Sequence, residues 1–226
     1  MQTTRSDLLS LRAEVAQCLD LADVPSEADF EQECRDYLSA LRWPGGVECP
    51  RCSESARLLW LTSRSKWHCY ACRYQFSVTA GTLFHSSHLP VWKWFVAVHL
   101  MLSGPVGVSA NELRRTLGGS YKTAWFAAHR IRAAMRGHGA ELPRSLVEAD
   151  ERDHGVDPQR ADVRVVARVR GLIGRHHQLG FKYLPAYIDE RRWRSANRGN
   201  PHAFQDTLQA LLEGEGISYE RLIAAA

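Results

Sequence analysis

Nowhere in its 226 residues does this sequence approach the roughly 20 consecutive apolar residues that a membrane-spanning helix requires. Its first residues, which include Asp7 and Glu14, carry no signal-peptide pattern. Six cysteines are too few to staple a chain of this length as a disulfide scaffold. No internal repeat or low-complexity tract appears. These absences lead to the expectation of a soluble, intracellular, cytoplasmic protein with no membrane partner. An apolar share of 45% is enough to bury real cores, which excludes disorder as the main state and favours two or three small domains.

The net charge of +4 is small, but its distribution is uneven. Residues 1–48 hold ten acids against four bases, whereas residues 90–140 hold seven bases and a single acid, Glu112. A basic working surface in the middle of the chain accounts for this contrast, and so does ordinary solvation of helices by Arg and Lys.

Leu8, Leu11, Val15 and Cys18 recur at helical spacing, which predicts a helix over Ser6 to Leu19 with Ser6 as N-cap. Phe30, Cys34, Tyr37 and Leu41 repeat the pattern, in a helix starting after Ser26 and stopping before Pro44-Gly45-Gly46. Cys18 and Cys34 read as packed thiols, since neither has a second sulfur at metal spacing. Short β-like runs follow at Leu58–Leu61, Lys66–Cys69 and Tyr74–Val78. Helical spacing resumes after Pro90 and continues to about Met135, with breaks at Gly104-Pro105 and Gly118-Gly119, and Gly137 to Pro143 reads as a linker. Further on, Tyr183, Tyr187 and Ile188, then Phe204, Leu208, Leu211 and Leu212, show helical spacing. The expected fold class is mostly α with a small β zinc ribbon. Its expected units are a helical N-terminal segment (1–46), the ribbon (47–89), a basic helical unit (90–138) and a helical C-terminal region (144–226).

Cys49-Pro-Arg-Cys52 and Cys69-Tyr-Ala-Cys72 are two Cys-x-x-Cys knuckles separated by sixteen residues, the spacing of a four-cysteine zinc ribbon. Four thiolates meet the tetrahedral preference of Zn²⁺, and a two-residue spacer lets one tight turn offer both sulfurs to one ion. A redox dithiol would instead sit at a helix start beside a βαβ pattern, which is absent. Four sulfurs leave no open position for water, so this Zn²⁺ is structural. Arg51, Arg57, Arg64, Lys66 and Arg73, with Trp60 and Trp67 between them, are placed to meet a phosphate backbone, although both tryptophans are read first as the ribbon's small core.

From Ser109 to Trp125 the sequence reads as a short helix, a glycine turn and a longer helix, the order of a helix-turn-helix. Ser109 with Glu112 has capping-box spacing, and Ser120 can cap the second helix. Tyr121, Trp125 or Ala124, Ala128, Ile131 and Met135 form its apolar stripe, leaving Lys122, Thr123, Phe126, His129, Arg130 and Arg132 for other faces. A helical hairpin with a basic surface fits this segment equally well. Trp92, Trp94 and Phe95 read as core aromatics of the preceding helix.

Several linked motifs resemble the zinc-ribbon DDE transposases of bacterial insertion sequences. They are Tyr37-Leu-x-x-Leu-Arg-Trp-Pro-x-Gly with Val47-Glu-Cys-Pro-Arg-Cys52; Trp67 to Phe84 with Leu89-Pro-x-x-x-Trp; and Lys122-Thr-Ala-Trp-x-x-x-His-Arg-Ile-Arg-x-Ala-Met135. The resemblance implies a catalytic domain of RNase H-like fold, whose three carboxylates hold two divalent ions, such as Mg²⁺, for cutting and joining DNA. Val147-Glu-Ala-Asp-Glu151 resembles its first strand, with Asp150 as the leading carboxylate. The stretches from Arg170, Lys182 and Trp193 resemble the family's C-terminus, and Asp162 lies about where the final acidic residue would come. Asp162 follows Asp150 by only a dozen positions, so the segment carrying the second carboxylate is missing and residues 144–226 are a remnant of that domain.

The expectation is therefore a domesticated DNA-binding protein without the transposition chemistry, nucleoid-associated and suited to site binding or transcription regulation. Lys122, Thr123, Phe126, Arg130 and Arg73 are its expected contacts to double-stranded DNA, and a homodimer through the C-terminal region is a further expectation. Two alternatives stay open: an active or partner-assisted transposase using Mg²⁺, and a protein-interaction module.

Overall fold

The computed structural model describes residues 5–18, 26–103, 107–136 and 183–224. The linker at Gly137 to Pro143 and the acidic positions Asp150 and Asp162 lie outside these residues.

Helix α1 spans Arg5–Cys18. Ser6 falls inside it and so cannot be its N-cap, which requires a non-helical backbone. Helix α2 spans Glu27–Arg42; the Ser26 side chain accepts from the Asp29 N–H at 3.1 Å, and Phe30, Cys34 and Leu38 are buried. Cys34 is thus packed as expected, whereas Cys18 is exposed, its sulfur 3.8 Å from His99 Nδ1. The difference follows from position, because Cys18 occupies the last turn of α1 while Cys34 sits mid-helix in α2.

Helix α3 (Val91–Ser103) is apolar on most sides, burying Trp92, Trp94, Phe95, Val96, Ala97, Val98 and Met101. A helix of this kind must be covered all round. Contacts from α1, α2, α4 (Ala110–Leu117), α5 (Tyr121–Ala134) and α7 (Ala203–Glu213) do so. Helix α6 (Leu184–Ala196) packs on α5, and α8 (Tyr219–Ala224) follows α7. Trp193, Phe204, Leu208, Leu211 and Leu212 enter the same core as the central helices. These apolar residues of α6 and α7 are thus buried against the front of the chain.

The ribbon is a three-stranded antiparallel sheet, β1 (Leu58–Leu61), β2 (Lys66–Cys69) and β3 (Gln75–Phe76), in the order β1-β2-β3. The third strand is shorter than the expected Tyr74–Val78, because the chain turns away at Ser77. Trp43, just after α2, packs against both the helical core and the ribbon core. The Arg42 guanidinium donates to the Val78 carbonyl and, at 2.8 Å, to the Ala80 carbonyl. Beyond the ribbon, Thr82 bridges Glu215, and the Leu83 N–H donates to the Leu211 carbonyl at 3.1 Å.

Candidate metal centre and nucleic-acid interface

Each knuckle follows the same construction. The Ser53 N–H donates to the Cys49 carbonyl at 2.8 Å and the Cys49 N–H to the Glu54 carbonyl at 2.9 Å; in the second knuckle the Cys69 N–H donates to the Tyr74 carbonyl at 2.9 Å. The residue after each knuckle is left-handed, Ser53 at φ 56° and Arg73 at φ 58°. That conformation folds the chain back so that backbone N–H groups point toward the sulfurs.

The four sulfurs of Cys49, Cys52, Cys69 and Cys72 lie within 4.8 Å of one another, with Cys49–Cys72 and Cys52–Cys69 each at 3.6 Å. A tetrahedron of Zn–S bonds of about 2.3 Å separates its sulfurs by about 3.8 Å, so the set fits the ion. Burial raises the Cys69 thiol, yet the N–H groups of Cys72 and Ala71 and the Cys52 thiol outweigh it and bring the pKa to about 7. At Cys52 the N–H of Glu54 lowers the pKa, but the neighbouring thiols push it up to about 12. Four crowded thiols resist joint ionisation, and a divalent cation removes that resistance. The donor set is that of a structural Zn²⁺ site, and His68 is not part of it.

The ribbon core differs from the expectation. Phe76, Ala80, Cys49 and Cys69 are buried, with Trp43, Val47, Leu58, Trp67 and Tyr74 packed around them. Trp67 belongs to this core, but Trp60 is 38% exposed. It pairs with Trp67 across the strands, centroids 5.2 Å apart, at the end of β1 farther from the sulfurs, where the small core has run out. Arg73 is exposed at the second knuckle.

Helices α4 and α5 are joined by Gly118, Gly119 and Ser120. Both glycines have positive φ, 74° and 85°, a turn that side chains with Cβ would strain. Ser109 accepts from the Glu112 N–H at 3.2 Å and Ser120 from the Thr123 N–H at 3.1 Å, the two expected caps. Ala124, Ala127, Ala128, Ile131 and Met135 face the core. Tyr121 does not: it is 50% exposed, one residue off the buried stripe, which runs through Ala124 and not through Trp125.

The expected DNA contacts separate into two groups. Lys122 and Thr123 are exposed in the first turn of α5; Arg114 and Arg115 of α4, not among the expected contacts, are exposed as well. Arg130, by contrast, is only 2% exposed. Its guanidinium donates to the His85 carbonyl at 2.6 Å and the Ile217 carbonyl at 2.9 Å, and lies 3.9 Å from the Phe126 ring centroid. Burial pulls its pKa down to about 10, so it remains a cation at neutral pH. Arg130 therefore ties three segments together and does not present itself to a duplex. Phe126 is half-buried between Arg130 and Tyr219, whose ring centroid is 5.9 Å away.

Two further residues of α5 are buried. Arg132 has 0% exposure, pairs with Glu190 of α6 at 2.7 Å and lies 3.8 Å from the Tyr187 ring centroid. His129 is enclosed by Trp125, Tyr183 and Tyr187, with centroids 4.1, 5.2 and 5.7 Å away. Burial, helped by the Arg132 charge, lowers its pKa to about 3.

Among the described residues no helix is long and apolar enough to cross a membrane. Residues 30–75 match the family described as the transposase zinc-ribbon domain. The chain is also 29% identical, over 125 residues, to an uncharacterized protein in transposable element ISH50 of Halobacterium salinarum. That match covers 54% of this chain and 41% of the relative, so the chain spans well under half of the relative's length. No solved structure matches. Residues 30–75, from within α2 to the start of β3, are thus similar to the zinc-ribbon domain of transposases, and the chain is similar over about half its length to a protein of a transposable element.

Proposed function

We propose that this chain is a zinc-dependent reader of double-stranded DNA, derived from an insertion-sequence transposase and acting as a site binder or regulator. The observation that carries the reading is the first turn of α5. It is capped by Ser120 and exposes Tyr121, Lys122 and Thr123, while the rest of the helix is anchored in the core. Two helices joined by so short a turn, with the N-terminal polar residues of the second one exposed, have the layout of a helix-turn-helix entering a major groove. Lys122 and Thr123 are the base or phosphate contacts in this reading, and Arg114 and Arg115 flank them on the backbone. Arg73 offers a separate phosphate contact from the ribbon. Nucleoid association would follow from binding of this kind.

The same proposal assigns the chain no cutting or joining chemistry. It rests on the sequence, which passes from Asp150 to Asp162 with no room for the segment that carries the second carboxylate of a two-metal site. The test is selection of genomic DNA fragments by the zinc-loaded protein, with a chelated sample alongside. Zinc-dependent enrichment of a shared site is expected, and no enrichment at moderate salt would transfer the function to protein interaction. Nicking or joining of the selected DNA with Mg²⁺ or Mn²⁺ would restore the transposase alternative.

A further inference from the structure

The segment after α7 lies against α5. The Tyr219 ring centroid is 4.2 Å from Lys122 Nζ, 5.8 Å from the Trp125 ring and 5.9 Å from the Phe126 ring. Two residues earlier the Ile217 carbonyl accepts from Arg130. Before that, the Gly216 N–H donates to the Gly81 carbonyl at 3.1 Å, and Glu215 bridges Thr82. The segment is therefore fixed at its near end and laid along the side of α5 that leads into the exposed first turn.

Its charge is opposite to that of the surface it meets. Residues 213–224 carry Glu213, Glu215 and Glu220 against Arg221 alone, and all three carboxylates are on exposed residues. Lys122, whose ammonium the Tyr219 ring covers, is a principal cation of the proposed DNA face. A phosphate seeking that ammonium must displace an aromatic ring that Glu220 directly follows in the chain. An ammonium–ring contact at an exposed site is weak, so displacement is within the reach of a ligand that also gains counterion release.

We propose that residues 213–224 form an acidic strap that competes with DNA for the first turn of α5, so that the folded chain is a restrained binder. This rests on the reading of α5 as the DNA contact. In it, Tyr219 is the clasp and the three glutamates supply repulsion. Release of the strap, by a partner or by a cognate site able to outcompete it, raises affinity.

The experiment titrates the full chain with a pool of random-sequence duplexes at low and moderate salt. Three variants are compared with the wild type: Tyr219→Ala; the triple Glu213→Gln, Glu215→Gln, Glu220→Gln; and a control triple, Glu27→Gln, Glu33→Gln, Asp36→Asn. The control makes the same charge change at exposed positions of α2. Tyr219→Ala and the strap triple should bind about tenfold tighter than the wild type, and the strap triple well beyond the control. Adding Lys122→Gln to the Tyr219→Ala chain should cancel the gain. If the strap triple binds no tighter than the control triple, the strap is overturned, while Lys122-dependent binding by the wild type leaves the DNA reading standing. If neither the wild type nor any variant binds, both fall together. The strap triple removes no packed side chain, so its result stands even if Tyr219→Ala proves unstable.

Discussion

Arg132 and Glu190, 58 positions apart, meet through a 2.7 Å bond in which neither side chain is more than 5% exposed. Arg132 also donates to the Val108 carbonyl at 3.3 Å, so one guanidinium joins α5, α6 and the entry to α4. Removing one partner of a buried pair leaves the other charge without compensation. Glu190→Ala should therefore destabilise the chain by about 3–5 kcal/mol, measured by denaturant unfolding. A cost below about 1 kcal/mol would mean that water reaches Arg132.

Gly107 lies against the same pair. A Cβ placed there would come within 2.3 Å of Glu190 Oε1, and the backbone is at φ +82°. Gly107→Ala should lower the melting temperature by an amount comparable to a core substitution, because both the pair and the backbone must move. An unchanged melting temperature would show that the pair can shift freely.

His129 predicts a pH dependence. Its folded pKa is about 3, against about 6.5 for an exposed imidazole, so below pH 6.5 the unfolded chain binds a proton that the folded chain refuses. Stability should be unaffected by this group above pH 6.5 and fall as the pH drops toward 3, by up to about 1.4 kcal/mol per unit. The window from pH 6.5 to 5 lies just below the ordinary imidazole pKa, where this slope sets in. With zinc in excess, His129→Phe should flatten the stability curve across that window. An identical slope in the variant would assign the dependence to other groups.

Arg130 and Lys122 should differ in what their loss does to DNA binding. Lys122→Ala is expected to leave the melting temperature within about 2 °C and to reduce the slope of log affinity against log salt by about 0.9, the value of one phosphate contact. Arg130→Ala removes the donor to the His85 and Ile217 carbonyls and should cost stability instead. A flattened salt slope in a fully folded Arg130→Ala chain would return that residue to the DNA face.

Much of the local structure was legible in the sequence because its signals are local. The knuckle spacing, the start of α2 after Ser26, the Ser109 and Ser120 caps and the extents of β1 and β2 each depend on residues a few positions apart. The faces of α5 were not legible. Arg130 and Arg132 have the residue type of a solvent-facing position, and their burial depends on acceptors supplied by Ile217 and Glu190, far along the chain. Trp60 and Tyr121 err in the opposite direction. Both are large and apolar enough to read as core, but a ribbon with so small an interior and a helix already lined with alanines have no volume for them. For Asp150 and Asp162, the sequence remains the sole source of the reading.

Trp43 touches both interiors, its ring 6.0 Å from Phe76 on the ribbon side, while Arg42 beside it grips the turn that leaves the ribbon. Loss of the ion removes the scaffold behind Phe76 and leaves the indole with packing on one side only. The helices then lose the abutment that fixes where α2 ends and where residues 78–86 begin. Zinc supply thereby acts at a distance, as a tension setting on parts of the chain that hold no ligand to the metal.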